Sequence, residues 1–155
     1  MNPAANKPLG IFFLDAGRKY FGVPAIRKLL GGASREGLDM MQLYVSDNQG
    51  FRFAPGDRVV RTPYGVYDLT PALGDGYCQE DKAPDGSGRY LTQEDMEKIL
   101  DYARQVGVEI IPALNMPGHM GAILEHFPHL RYPGSRSSLN LGNPEAVAFG
   151  LALAE

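Results

Sequence analysis

The sequence predicts an α/β fold built on parallel strands, and three observations carry that expectation. Three apolar runs of strand length, at residues 11–14, 38–45 and 108–114, are separated by segments of helical periodicity. Two of the runs are nearly continuous in apolar character, which suits strands buried on both faces of a parallel sheet. Each run is followed at once by a polar cluster, and parallel α/β folds gather their sites at the C-terminal ends of their strands.

The elements follow in order. After the first run, Val23, Ile26, Leu29, Leu30 and Ala33 recur at helical spacing, with Pro24 near the start, where a proline is tolerated. Gly31 and Gly32 weaken that helix by about 1 kcal/mol each against alanine, which leaves its far end open. The second run leads into a stretch at 46–91 that is too long for an ordinary connection. It holds Tyr64, Tyr67, Tyr77, Tyr90 and several glycines, and reads as an ordered insertion with a small hairpin over 59–67. Thr92 and Asp95 then form a capping box. Met96, Ile99, Leu100, Ala103 and Val106 make one stripe, and Gly107 stands at the C-terminal stop. Pro112 belongs near the end of the third strand, where it interrupts little of the ladder. A third helix is expected after Asn143-Pro144, running to Glu155.

Composition narrows the function. A chain of 155 residues is one domain, 1–155, long enough to bury a core. Its 15 Lys+Arg against 18 Asp+Glu give a net charge of -3, which predicts no nucleic-acid footprint. No apolar run approaches the roughly 18 residues of a membrane span. The start, MNPAANKPLG, lacks the apolar segment of a secretion leader. The single cysteine, Cys78, excludes an internal disulfide framework and a cysteine-rich zinc site.

The polar clusters are Asp15-Ala16-Gly17-Arg18, Ser46-Asp47-Asn48-Gln49 and Asn115-Met116-Pro117-Gly118-His119. If the three runs are neighbouring strands, these clusters converge on one rim. Each residue also has a plainer explanation. Asp15 could cap a turn, and Arg18 could be its structural partner. Asp47 and Asn48 are ordinary turn formers. His119 could be a buried histidine satisfied by a carbonyl. A metal centre is not expected: His119, His126 and His129 fit no zinc spacing, and Asp81 with Asp85-Gly86 fails the calcium-loop pattern. No phosphate-binding glycine loop or nucleophile elbow is present, which argues against nucleotide and serine-hydrolase chemistry.

At this point the motifs resemble a family. Residues 14–21, Leu-Asp-Ala-Gly-Arg-Lys-Tyr-Phe, look like the first-strand motif of glycoside hydrolase family 20, the β-N-acetylhexosaminidases. Residues 46–52, 90–96 and 111–120 resemble that family's second-strand, second-helix and third-strand motifs, in the same order. The wording is nearest to bacterial surface exo-N-acetylglucosaminidases and lacto-N-biosidase-like members. The resemblance implies a partial (β/α)8 barrel of about three β/α units, with the long insertion after the second strand. It implies that Arg18 binds hydroxyls of the terminal sugar, with Asp15, Gln49 and Asn115 also on the substrate side. Asp47 and His119 would form a hydrogen-bonded pair supporting the general acid. The implied chemistry is substrate-assisted: the sugar's 2-acetamido oxygen attacks the anomeric carbon, with retention and without a cofactor. The implied partner is a glycan ending in β-linked N-acetylhexosamine, in a secreted or cell-surface setting.

The same resemblance marks departures. The family's catalytic Asp-Glu pair lies at the end of a fourth strand, and no acidic residue here matches it. Three strands cannot close an eight-stranded barrel, so this chain is expected to be the N-terminal part of a longer enzyme, inactive alone and prone to self-association through open strand edges. Gln42 and Tyr44 stand where many members carry His or other polar residues, and Asn115 where many carry Asp. Tyr64, Tyr67 and Tyr77 could either stack on outer sugars or pack the insertion against the domain. The alternative function is a non-catalytic carbohydrate-binding or interaction module on the same fold.

Overall fold

The computed structural model describes residues 8–74 and 82–155, so Tyr77, Cys78 and Asp81 lie outside the described residues. Three parallel strands form the central sheet in the order β1 (Ile11–Asp15), β2 (Met40–Tyr44), β7 (Glu109–Ala113). Leu14 stands beside Leu43, and Leu43 beside Pro112. Parallel neighbours need a crossover between them, and helices α1 (Val23–Arg35) and α2 (Gln93–Val106) lie on those crossovers.

Between β2 and α2 the chain makes two short antiparallel pairs. The first joins β3 (Ser46–Asp47) to β4 (Gly50–Phe51), and the second joins β5 (Val59–Thr62) to β6 (Gly65–Asp68). The second pair is the expected hairpin, one residue longer than the 59–67 predicted for it. A four-residue helix, α3 (Gly121–Leu124), and a last helix, α4 (Pro144–Ala154), follow β7. α3 was not expected, because one turn is too short to show a periodicity. α4 starts where predicted, with Asn143 Oδ1 accepting the Glu145 amide at 3.0 Å.

The helix ends follow their sequence signals. The Thr92 hydroxyl accepts the Asp95 amide at 3.1 Å, while Asp95 accepts the Thr92 amide at 3.1 Å, completing the capping box. Gly107 closes α2 with φ +72°, a conformation glycine reaches without steric penalty. α1 runs straight through Gly31 and Gly32 to Arg35. A β-carbon on Gly31 would lie 3.0 Å from the Tyr102 hydroxyl, so that glycine is what lets α2 approach closely. Arg27 covers the same tyrosine ring at 4.5 Å, and Ser34 donates to the Val106 carbonyl at 2.7 Å.

One face of the sheet is covered. Leu14, Met41 and Leu43 pack against Ile26, Leu30, Ile99 and Ala103, all buried. The other face departs from the expectation of burial on both sides: Ile11 is 49% and Phe13 52% exposed, with Phe13 leaning on Tyr44 at 4.6 Å between ring centres. Among the described residues no helix or loop is laid over it.

A second core lies under the insertion. Tyr67, Leu69, Ile123, Leu124, Leu130 and Phe149 bury one another there. Tyr67 packs edge-on to both Phe127 and Phe149. Tyr64, by contrast, is 57% exposed at the hairpin turn, and the half-buried Tyr90 stacks under Arg58. The insertion is fastened by the fully buried Arg52, whose guanidinium donates to the carbonyls of Gly74 at 3.1 Å, Arg89 at 3.0 Å and Gln49 at 3.4 Å. Its two ends run side by side, with Leu91 N–H donating to Arg52 and Ala54 N–H to Leu91.

Candidate active site

The three polar clusters meet at one rim because the strands that carry them are adjacent. The ladder continues past the strand ends: Ala16 N–H reaches the Tyr44 carbonyl at 2.9 Å, and Val45 N–H the Ala113 carbonyl at 3.1 Å. Residues 15–18, 46–49 and 115–119 therefore leave the sheet together. Gly17 allows the closest approach, since a β-carbon there would lie 2.6 Å from the Ser46 carbonyl carbon.

Asp47 is the hub. It is 2% exposed, and burying a carboxylate is costly unless its oxygens are met. Oδ1 accepts the Asn48 amide at 2.6 Å. Oδ2 faces three groups from two other strand ends: Asn115 Nδ2 at 3.1 Å, Arg18 Nε at 3.4 Å and His119 Nδ1 at 3.6 Å. The last separation is longer than a hydrogen bond. Asp47 and His119 therefore face each other without a hydrogen bond here, the imidazole standing slightly off.

Asp15 takes the turn-capping role open to it: Oδ1 accepts the Arg18 amide at 2.9 Å, and Oδ2 lies 3.2 Å from Arg18 Nε. Arg18 is thus held between two carboxylates, with its side chain 58% exposed. Asn115 is fixed from three directions. Its amide N–H donates to Ser46 Oγ at 3.0 Å, and Nδ2 also donates to the Ser46 carbonyl at 2.8 Å. Gln49 sits in the turn between β3 and β4 and makes no hydrogen bond to the other five among the described residues. Its side-chain oxygen is buried without a partner there. Asp15, Arg18, Asp47, Asn115 and His119 are linked by these contacts, which do not include the Gln49 side chain.

His119 has φ +57°, in the left-handed region. Histidine visits that region more readily than most residues, though at a cost of about 1 kcal/mol or more. The strain is held by the chain around it. Leu139 N–H donates to the Pro117 carbonyl at 2.8 Å, Met120 N–H to Ser137 at 2.9 Å, and Gly121 N–H to Asn48 Oδ1 at 2.9 Å. The His119 side chain stays 58% exposed, so a ring nitrogen is available to a further group. Sequence reasoning placed Ser46 and Asn48 in the second polar cluster but gave neither a role at the rim. Nothing local distinguishes them, since their partners lie 69 and 73 residues away.

The rim does not assemble a metal centre. No group of three or more His, Cys, Asp or Glu side chains could hold an ion among the described residues. Asp85 instead accepts the Ser87 amide and hydroxyl, at 2.9 and 2.6 Å, as a turn former. No helix of the described residues is long and apolar enough to cross a membrane.

Residues 10–147 match the model of the glycosyl hydrolase family 20 catalytic domain, and the chain belongs to that family. It is 35% identical over 65 residues to a lacto-N-biosidase of Bifidobacterium bifidum, covering 39% of this chain and 6% of that protein. It is 31% identical over 120 residues to β-hexosaminidase B of Pseudoalteromonas piscicida, covering 72% of this chain and 15% of that protein. Among solved structures, the catalytic modules of a pneumococcal exo-β-D-N-acetylglucosaminidase superpose with a TM-score of 0.80 at 28% identity, covering 94% of this chain and 37% of that one. Streptomyces plicatus N-acetyl-β-hexosaminidase shares the fold at a TM-score of 0.71 and 24% identity, with 93% of this chain and 28% of that one covered. The chain therefore spans well under half the length of each of these relatives.

Proposed function

We propose that this chain supplies one side of the terminal-sugar site of an exo-acting β-N-acetylhexosaminidase. The observation that carries the proposal is the meeting of Arg18, Asn115 and His119 on the buried Asp47 carboxylate, 3.1 to 3.6 Å away, at the ends of three adjacent strands. In this reading the three strands are the first units of a (β/α)8 barrel. The open face with Ile11 and Phe13 would look into its interior.

The residue roles follow from the chemistry available. Arg18, anchored at Nε by Asp15 and Asp47, presents its remaining planar donors to adjacent hydroxyls of the non-reducing sugar. Asp47 orients His119. His119 in turn positions the acid that protonates the leaving oxygen, and its 3.6 Å separation from Asp47 closes when substrate fills the site. The nucleophile is the substrate's own acetamido oxygen, so cleavage proceeds with retention and without a cofactor. The partner is a glycan bearing terminal β-linked N-acetylhexosamine. In this reading the 155-residue chain alone does not turn over, because none of its acidic residues matches the Asp-Glu pair that the family resemblance calls for.

The test is hydrolysis of an aryl N-acetyl-β-glucosaminide. Turnover is expected from a polypeptide that continues this chain through further strands, and none from the 155 residues alone. Robust hydrolysis by the short chain would overturn the assignment of the acid to another segment. Sugar binding without turnover in the extended polypeptide would favour a carbohydrate-binding module instead.

A further inference from the structure

Ser46, Asp47 and Asn48 are consecutive, and each reaches across to the segment that follows β7. Ser46 holds Asn115, Asp47 meets Asn115 and His119, and Asn48 holds Gly121. Asn48 is the member of this row with no role so far. It contacts the carboxylate partner directly and the chain two residues beyond the imidazole. Its backbone N–H donates to Asp47 Oδ1 at 2.6 Å, which fixes the carboxylate plane. Its side-chain oxygen accepts the Gly121 amide at 2.9 Å, two residues beyond His119.

The Gly121 amide needs such an acceptor. Gly121 is buried and opens α3, so no earlier carbonyl of that helix can take its hydrogen, and Met120 offers no side-chain cap. Asn48 supplies the cap from another strand end. The captured amide lies at the far end of the turn that holds His119 at φ +57°. A left-handed histidine relaxes once its turn is released, and relaxation swings the ring away from Asp47.

We propose that Asn48 is a positioning residue that sets the His119 imidazole against the Asp47 carboxylate by capping Gly121. The proposal rests on the pairing of Asp47 and His119 described under the proposed function, but it is read out without turnover. Only three histidines are present, so histidine ring-nitrogen NMR of the labelled chain is tractable, with His126→Gln and His129→Gln assigning the signals. In Asn48→Ala, the His119 Nδ1 signal moves toward that of a free imidazole, while those of His126 and His129 stay. Exchange protection of the Gly121 amide falls at least about tenfold. Asn48→Asp, which keeps the accepting oxygen, restores both. An unchanged His119 signal in Asn48→Ala, with Gly121 protection lost, would show a structural cap and nothing more, and would overturn the proposal. Should Asn48→Ala lose its fold, Asn48→Ser, which withdraws the acceptor from Gly121 without adding charge, decides: a displaced His119 signal upholds positioning and a native one with Gly121 protection lost refutes it. A polypeptide without glycosidase turnover would leave this readout standing, and an unmoved His119 signal would leave the glycosidase reading standing.

Discussion

Asn115 and Asp47 lie 68 residues apart, and the Asn115 side-chain amide donates to Asp47 Oδ2 at 3.1 Å. An amide brings its hydrogens at every pH, so it meets a buried carboxylate without a shared proton. Its second hydrogen goes to the Ser46 carbonyl at 2.8 Å, which makes Asn115 a rivet between two strand ends.

Removing that rivet leaves a nearly buried carboxylate and a carbonyl each short of a donor. Asn115→Ala is expected to destabilise the fold by about 1–3 kcal/mol. Urea unfolding followed by circular dichroism measures it, and a midpoint equal to the parent's would show that water replaces the amide without loss.

Asp47→Asn keeps the shape of the hub and removes its charge. In a catalytically complete polypeptide, kcat on an aryl N-acetyl-β-glucosaminide is expected to fall about 10–100-fold, the usual effect of removing a supporting partner of a catalytic group. Steady-state rates check this, and parent-like turnover would take Asp47 out of the mechanism.

The Tyr67 hydroxyl donates to Glu145 Oε1 at 2.6 Å and ties the β5–β6 hairpin to the first turn of α4. Burial, reinforced by the Glu145 carboxylate, raises the Tyr67 pKa above its ordinary value of 10.0. A group whose pKa is raised by folding contributes stability that is complete below its unfolded pKa and is lost as pH rises through the folded one. Stability is therefore expected to decline above about pH 10, the unfolded tyrosine value. Tyr67→Phe should soften the decline, with Tyr20, also raised chiefly by burial, supplying the remainder. Unfolding midpoints at pH 8 and 11 for both proteins decide it, and parallel slopes would remove Tyr67 as a source.

Phe13 and Ile11 stand half-exposed on the uncovered sheet face, beside strand edges that carry unpaired backbone groups. The 155-residue chain is expected to associate as its concentration rises, and Phe13→Lys to shift it toward monomer. Sedimentation velocity across a concentration series tests both. A parent chain that stays monomeric would mean the face is tolerated in water.

Much of this was legible in the sequence because it is local. The Thr92–Asp95 box and Gly107 mark both ends of α2 within fifteen residues. The polar runs Asp15–Arg18 and Ser46–Gln49 follow apolar strands that are neighbours in the sheet, so Arg18 and Asp47 could be expected at one rim before any coordinates. What escaped was non-local or too short. α3 is one turn, and Asn48 looks like any turn asparagine until Gly121 is seen above it. The exposure of Ile11 and Phe13 escaped as well, since an apolar run states that a strand suits burial and not whether this chain brings the cover.

The insertion after β2 leaves and re-enters the domain at a single seam, where Arg52, Ala54 and Leu91 are cross-linked and Phe53 pairs with Leu91. Between those points Tyr67 and Leu69 pack into the second core and the Tyr67 hydroxyl is tied to Glu145, so a change there leaves the rim in register only where it spares these contacts.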